Sequence, residues 1–227
     1  MSELFSIQLQ NRQQQGRDGV WLDLPTTTEQ VQAALRQIGI SSDNPQGLFI
    51  SGYFAEEEKR FAIPYNMVLA SNVDELNFLA SRLETLSTGE RAELNAALQA
   101  PQSELFSIGR ITDFPENVDY YVHLPDVHGP AQLGDYYLNR SGMVDMPEEW
   151  KGGIDTAQFG RYVAQQEQGV FTEYGYLVKS GDAWQKVHEG QPVPEEYRVL
   201  SFPAPEILRD AANIPPPVQP ETEPQKV

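Results

Sequence analysis

Carboxylates are the side chains that offer chemistry in this chain, and one stretch of the sequence holds most of them. Residues 111–190 carry thirteen acids and five bases, a net charge of −8 out of −17 for all 227 residues. These acids stand one to several residues apart among aromatic side chains, which is typical of a folded acidic surface and not of an acidic tail. Such a surface repels nucleic acid and attracts proteins that bind nucleic acid.

Three residues have the chemistry of metal ligands: His123, Asp126 and His128. They leave open a metal-dependent hydrolase, but Pro125 and Pro130 in the same segment favour a loop with scattered polar residues. The sequence has no cysteine, no phosphate-binding loop, no dinucleotide fingerprint, no nucleophile elbow and no HExxH motif. We therefore expect no enzymatic activity, no cofactor and no bound metal.

The composition indicates a folded protein with an acidic surface. Hydrophobic residues make up 40% of the chain and aromatic residues 10%, which is enough for a core. No apolar run approaches the roughly 20 residues that span a bilayer, and residues 1–4 lack the features of a signal peptide. We expect a cytoplasmic protein without membrane contact. The tyrosines and phenylalanines have no basic patch beside them, so nucleic-acid binding is not expected.

The N-terminal part of the sequence predicts a small α+β domain. Alternating apolar residues over 5–9 predict a strand, and the apolar runs at 20–24 and 47–53 predict two more. Between them, Thr26 and Glu29 predict a capping box that begins an amphipathic helix. Strands and a helix in this order are typical of a compact mixed module.

Helical spacing dominates the middle of the chain. Capping boxes at Asn72 with Glu75 and at Ser87 with Glu90 predict two successive helices within residues 63–102. Their apolar stripes favour packing in a core over contact with a cofactor. This segment predicts a helical hairpin.

The third part of the sequence predicts a second α+β domain. The predicted elements are a strand at 120–124, helices at about 130–139 and 155–168, an extended run at 170–178 and a hairpin strand at 183–187. Gly169 is predicted to cap the second of these helices. Residues 213–227 are rich in proline and predict a disordered tail.

One sequence repeat bears on the origin of these domains. Residues 2–7 recur identically as residues 103–108, and residues 46–49 resemble residues 168–171. The repeat leaves two interpretations open, a duplication of one α+β module or a coincidence between common strand patterns.

The most informative stretch is 155–176, which reads as a capped helix, a glycine stop and a strand. Gly160 inside the helix costs about 1 kcal/mol relative to alanine and indicates close packing. The stretch resembles the antirestriction protein ArdA family, with its Asp-Tyr-x-x-hydrophobic-Gly-Arg helix, acidic run and Gly-x-Phe-Thr-x-x-Gly-Tyr strand. Thr156 replaces the family's aromatic residue, and Gln165 and Gln166 dilute the acidic run.

Further matches to the ArdA pattern occur in the same order along the chain. They are the Trp-Leu-Asp-Leu-Pro run at 21–25 with the helix at 29–39, the helix start at 72–80, and the Leu-Gly-Asp-Tyr-Tyr run at 133–137. The resemblance extends from about residue 4 to about residue 177. Residues 178–227 are less clearly covered.

The resemblance implies a fold and a function. The implied architecture is α+β and elongated, a homodimer of three small domains, here placed at 1–62, 63–102 and 103–212. The implied function is that of an acidic DNA mimic, carried by conjugative plasmids and transposons, which occupies the DNA-binding groove of type I restriction–modification enzymes. A dimer would carry 34 negative charges, twice 17, as many as about 17 base pairs of DNA.

In this interpretation, carboxylates stand where phosphates would stand and pair with lysines and arginines of the enzyme. The predicted mimic acids are Asp113, Glu116, Asp119, Asp126, Asp135, Asp145, Glu148, Glu149, Asp155, Glu167 and Glu173. Phe159 and Tyr162 are predicted to pack near a dimer contact, with packing inside one subunit as the alternative. A different class of function also stays open, an acidic adaptor of a mobile element that binds a basic partner without imitating DNA.

Overall fold

The computed structural model describes residues 4–14, 18–56, 61–101 and 103–204. The strands are β1 (Phe5–Asn11), β2 (Val20–Leu24), β3 (Leu48–Phe54), β4 (Tyr121–Leu124), β5 (Val170–Thr172) and β6 (Gly175–Lys179). The helices are α1 (Thr28–Gln37), α2 (Tyr65–Leu69), α3 (Val73–Leu83), α4 (Thr88–Gln99), α5 (Ile108–Thr112), α6 (Pro130–Asp135), α7 (Glu148–Lys151) and α8 (Thr156–Glu167). The predicted α+β class is confirmed. The tail predicted at 213–227 lies outside the described residues.

The first sheet is antiparallel in the order β2-β1-β3, and its buried face follows from the alternation in β1. Phe5, Ile7 and Leu9 are at most 1% exposed. Phe5 pairs with Leu24 of β2 and Ile7 pairs with Leu22, both of which are also buried. Because side chains alternate across a strand, these residues close one face of the sheet onto the core.

Capping boxes begin three of the helices, and two of them were predicted. The capping pairs are Thr27 with Gln30 at α1, Asn72 with Glu75 at α3, and Ser87 with Glu90 at α4. The first lies one residue beyond the predicted pair, because Thr26 is buried and its backbone N–H donates to Asn77 Oδ1 at 2.7 Å.

The second sheet is antiparallel in the order β4-β6-β5, with α4 packed against β4 and β6. The extended run predicted at 170–178 divides into β5 and β6. Thr172 Oγ1 accepts the N–H of Tyr174 and donates to the carbonyl of Gly175, and this closes a tight turn. Gly175 has a φ of 121°, a conformation that favours glycine.

The strand predicted at 183–187 does not form, and the helix predicted at 130–139 is α6 extended by a π-helical turn, Tyr136–Arg140. Instead of pairing with a strand, the backbone near residue 185 is bound by the side chain of Asn117, which accepts the N–H of Gln185 at 2.7 Å. A side-chain amide thus takes the place of the strand partner that the sequence pattern predicted.

One hydrophobic core includes residues from all three predicted domains. It extends from Leu4 through α1, α3, α4 and β4 to Val199. A smaller cluster around Val127, Leu133 and Tyr176 lies beneath α6 and α8. The three predicted segments therefore share a core, and their boundaries and elongated arrangement stay predictions.

The described residues of the repeated hexapeptide adopt two different structures. Phe5 and Ile7 lie in β1, whereas the second copy has no regular structure until α5 begins at Ile108, with Ser107 as its N-cap. Tertiary context therefore decides the conformation of this sequence. The two copies therefore do not occupy equivalent places in the two predicted α+β modules.

Candidate functional site: acidic surfaces

Most of the predicted mimic acids lie on the surface. Eight of the eleven are exposed, Asp135 and Glu167 are half-buried, and Asp113 is buried. The exposed acids are Glu116, Asp119, Asp126, Asp145, Glu148, Glu149, Asp155 and Glu173.

An acidic cleft of about 400 Å³ lies between the turns that follow α5 and the chain that follows β6. Glu116, Asp119 and Asp182 line the cleft together with Tyr120. Arg82 of α3 forms an ion pair with Glu116 and offsets the charge of that carboxylate. The charges of the other two acids remain, so the cleft keeps an excess of negative charge. Asp182 has no local sequence signal for this site, because folding alone brings residue 182 back beside residues 116–119.

Two acids of α4, Glu90 and Glu93, lie close enough to Asp119 of the acidic cleft for their charges to interact. The Oε1 atom of Glu93 is buried and has no hydrogen-bond partner among the described residues. Burial, and then the charges of Glu90 and Asp119, raise the pKa of Glu93 to about 8. One carboxyl therefore holds its proton at neutral pH, since a further charge is unfavourable there.

We predict that Glu93→Gln stabilises the protein in a pH-dependent way. The unfolded chain releases the Glu93 proton near pH 4.5, whereas the folded chain keeps it to about pH 8. The folded state therefore binds more protons between these values, so stability falls as the pH rises and the penalty persists above pH 8. The glutamine variant should match wild type near pH 4 and exceed it by about 2 kcal/mol near pH 8, after discounting for solvent screening.

Urea unfolding of both proteins across this pH range measures the effect. Glu149→Gln, at an exposed position, is the matched control and should shift stability equally at every pH. A constant difference between Glu93→Gln and wild type would contradict the assigned titration of Glu93.

A second group of acids lies on α7, on α8 and on the chain before them. Glu148 accepts a hydrogen bond from Lys151 at 2.6 Å, and Asp155 is the N-cap of α8. Asp145 and Glu149 are exposed and form no ion pair with the described residues. Asp145 and Glu149 are therefore the carboxylates of this group that are best placed to contact a partner.

Asp113 does not belong to the surface, and its prediction as a mimic acid is wrong. The residue is 0% exposed. Its carboxylate accepts the backbone N–H groups of Val187, His188 and Glu189 at 3.3, 2.6 and 3.2 Å. A carboxylate satisfied by three backbone donors anchors a chain segment and cannot face a partner.

Glu167 is held by two tyrosine hydroxyls. Tyr137 donates to Oε1 at 2.5 Å and Tyr176 donates to Oε2 at 3.0 Å. Burial and the adjacent carboxylate raise the pKa of both tyrosines, because a phenolate would stand next to a like charge. Glu167 therefore joins α8 to β6 and to the turn after α6, and much of its hydrogen-bonding capacity is used within the fold.

Two glycines allow the backbones of α6 and α8 to touch. A Cβ atom on Gly160 would overlap the carbonyl oxygen of Pro130, and a Cβ atom on Gly134 would overlap that of Thr156. Neither obstacle is a flexible side chain, so a substitution would push the helices apart. The close packing predicted at Gly160 is confirmed.

Gly169 serves the same kind of close approach. A Cβ atom there would overlap the hydroxyl of Tyr176, which binds Glu167. Its predicted role in capping α8 is wrong, because Gln168 is the C-cap and adopts the left-handed conformation with a φ of 56°. Space, and not backbone conformation, accounts for glycine at position 169.

The candidate metal ligands do not converge. His123 Nε2 lies 2.8 Å from the carbonyl oxygen of Tyr174. Among the described residues, which include His123, Asp126 and His128, no group of three histidine or acidic side chains is arranged to hold a metal ion. His123, Asp126 and His128 therefore do not form the metal site that the sequence left open.

The two aromatic residues predicted near a dimer contact differ in exposure. Tyr162 is 61% exposed and Phe159 is half-buried. Their role in a dimer stays a prediction. Within the parts of the chain that the structure describes, none of the helices has the length and apolar character needed to cross a bilayer.

The α6–α8 crossing, the helices α3 and α4, and the strands β2 and β3 all fall within one family match. Comparison with known families matches residues 15–178, well over half of the chain, to the antirestriction protein (ArdA) family. The chain belongs to the ArdA family. Comparison with curated proteins found no match for this ArdA protein.

The motif at 155–176 that resembles ArdA has an architectural role in this family member. Gly160 permits the α6–α8 crossing, Glu167 and Tyr176 bind each other, and Gly169 makes room for that pair. Of the exposed acids without an ion pair among the described residues, Asp119 lies outside the motif and Glu173 lies within it. The motif therefore serves mainly the packing of the fold and contributes little of the exposed acidic surface.

Proposed function

We propose that this protein inhibits type I restriction–modification enzymes by presenting carboxylates in place of DNA phosphates within the enzyme's DNA-binding groove. Membership of the ArdA family supports an antirestriction role. The crowding of carboxylates at the acidic cleft carries the mimicry argument. Beside it, burial and then the charges of Glu90 and Asp119 raise the pKa of Glu93 to about 8.

The charge of the protein suits an electrostatic mimic. B-DNA carries about one negative charge per 1.7 Å of helix axis, and its partners bind with lysines and arginines that displace counterions. This chain carries 33 acids against 16 bases. A basic groove would be drawn to such a surface at long range and would pair with its carboxylates at contact.

Among the predicted mimic acids and the acids of the cleft, the best suited are exposed ones that form no ion pair with the described residues and cap no helix. They are Asp119, Asp126, Asp145, Glu149, Glu173 and Asp182. Glu116, Asp135 and Glu148 are held by Arg82, Arg140 and Lys151, and a partner's arginine would have to replace these cations. We assign the leading role to the unpaired acids.

The mimic would act as a cytoplasmic homodimer and without catalysis. Tyr162 of α8 is the exposed aromatic residue that we place near the dimer contact, with Phe159 beside it in the sequence. Two subunits would double the acidic surface offered to one groove. Inhibition would then require no cofactor and no chemical step.

The proposed function is tested by an inhibition assay. Purified protein is titrated into a type I enzyme, and cleavage and methylation of a DNA substrate are both measured. We expect both activities to fall, because both require the same DNA groove to be free. Full activity at a large molar excess of the protein would overturn the proposal.

The second candidate function is an acidic adaptor that binds a basic protein beside DNA. The exposed acids favour it equally as a source of attraction, but an adaptor need not displace the duplex. A complex that contains the enzyme, DNA and this protein together would favour the adaptor.

A further inference from the structure

Residues 180–203, here named the strap, cross the molecule beyond the family match. The match ends at residue 178, and the chain then leaves β6 and passes the acidic cleft, α5 and α3. The backbone N–H of Ser180 donates to the carbonyl of Tyr120 at 2.9 Å, and that of Ser42 donates to the carbonyl of Pro203 at 3.0 Å. The strap therefore connects the second sheet to the N-terminal module.

Two buried side chains hold the first half of the strap. Asp113 accepts three consecutive backbone N–H groups at 187–189. Asn117 both donates to the carbonyl of Gln185 at 3.0 Å and accepts its N–H at 2.7 Å. Asp113 and Asn117 are 0% and 4% exposed, so water does not compete for their hydrogen bonds to the strap.

Two side chains of α3 hold the second half. Asp74 Oδ1 accepts the backbone N–H groups of Val199 and Leu200, both at 2.7 Å. Asn77 donates to the carbonyl of Tyr197 at 3.1 Å and accepts from the chain before α1. The strap is thus attached at both ends by acidic or amide side chains that bind its backbone.

Aromatic contacts add packing to these polar attachments. Trp184 packs edge-on against Tyr120 at 5.1 Å between ring centroids. Phe78 of α3 contacts His188 at 4.9 Å and Tyr197 at 4.7 Å. The strap consequently covers one side of α3 and α5 over most of its length.

We propose that the strap is a latch that completes the acidic cleft, with Asp113 and Asn117 as positioning residues for Asp182. Asp182 lies in the strap, two residues before Trp184, and joins Glu116 and Asp119 in lining the cleft. Asn117 is among the residues that line the cleft but is only 4% exposed, and Asp113 is fully buried. Their role in inhibition rests on the proposed function, whereas their role in holding the strap does not.

The latch acts cooperatively, because opening it breaks the hydrogen bonds of both the strap backbone and the buried side chains that bind that backbone. When the strap is released, the Asp113 carboxylate loses three hydrogen-bond donors, and three backbone N–H groups lose their acceptor at the same time. Val199 of the strap belongs to the common core, whereas among the described residues β1 pairs only with β2 and β3 and uses no backbone bond of the strap. The strap should therefore open as a unit while the remaining fold stays closed.

Hydrogen exchange of Asp113→Asn tests the latch. Asparagine has an NH₂ group in place of one carboxylate oxygen, and this group cannot accept the backbone N–H groups of residues 187–189. We expect protection of the amides at 187–189 to fall roughly 10- to 100-fold, with a parallel fall at Val199 and Leu200. Protection in β1 should stay unchanged. Asp43→Asn, the same change at an exposed position, is the control and should alter none of these amides.

Two further measurements keep the test decisive if Asp113→Asn folds poorly. Val187→Pro removes one donor and leaves Asp113 in place, and it should loosen the same amides. In a Trp21→Phe, Trp150→Phe background, the fluorescence of Trp184 reports strap release as a red shift. Unchanged strap exchange, or equal loss of protection throughout β1, would overturn the latch.

Inhibition assays then separate the positioning role from the proposed function. If wild type inhibits the enzyme, the two latch variants should inhibit about 2-fold more weakly, as should Asp182→Asn, because each change costs one exposed charge pair. Strap release with full inhibition would overturn the positioning role alone. Failure of wild type to inhibit would overturn the proposed function and the positioning role, while the exchange result would still decide the latch.

Discussion

Replacing six unpaired surface acids by their amides should weaken inhibition of a type I enzyme about 100-fold. The six changes are at Asp119, Asp126, Asp145, Glu149, Glu173 and Asp182, all of them exposed. Each lost charge pair is worth about 0.5 kcal/mol at a solvent-exposed site, and six of them sum to about 3 kcal/mol, or roughly two orders of magnitude in affinity. Any one change alone should have little effect.

The control removes equal charge from other parts of the surface. Its six changes are at Asp18, Asp23, Glu29, Asp43, Glu195 and Glu196, which are exposed as well. Both variants lose six charges, from −17 to −11. We expect the control to inhibit within about 3-fold of wild type. Equal losses would assign inhibition to net charge, and full inhibition by the first variant would contradict mimicry by these acids.

The second large effect is structural and concerns Gly160 of α8. Alanine normally stabilises a helix relative to glycine by about 1 kcal/mol. At this position the new Cβ would overlap the carbonyl oxygen of Pro130. Separating α6 from α8 would disturb the small hydrophobic cluster that contains Leu133 and Tyr176. We therefore expect Gly160→Ala to lower the free energy of unfolding by about 3 kcal/mol.

Gly89 provides the matched control because it is also a helical glycine. A Cβ atom there would meet nothing within 4 Å. Gly89→Ala should therefore stabilise the protein by about 0.5–1 kcal/mol, the opposite sign to Gly160→Ala. Urea unfolding of both variants beside wild type measures the contrast. A stabilising Gly160→Ala would show that the two helices are not in backbone contact.

Local patterns in the sequence predicted most of the elements. The capping boxes at Asn72 and Ser87 lie where the structure has them, because a cap depends on residues three apart in the chain. The strand at 5–9 followed from alternation for the same reason. Gly160 was predicted to mark close packing, and the α6–α8 crossing confirms it.

Long-range contacts account for what the sequence could not predict. Residues 183–187 have a strand pattern, but Asn117 and Asp113 bind that backbone from more than sixty residues away. The same distance hid the place of Asp182 in the acidic cleft. Asp113 was counted among the surface acids because composition records charge and not burial.

Acids with similar sequence surroundings consequently have different roles in the fold. Asp113 anchors the strap, Glu167 binds two tyrosines and Asp155 caps α8, whereas Asp119 is exposed beside the acidic cleft. Nothing in the local sequence separates these cases. The distinction depends on which backbone or hydroxyl donors the fold brings to each carboxylate.

Competition with duplex DNA tests the mimicry most directly. A type I enzyme is saturated with a fluorescent duplex that contains its site, this protein is titrated in, and the displacement constant is measured from about 50 to about 200 mM salt. We expect complete displacement of the duplex and a loss of affinity of about 10³-fold over this range, because a mimic pairs with the same lysines and arginines as DNA. A stable complex of enzyme, duplex and this protein, or an affinity that does not change with salt, would contradict DNA mimicry.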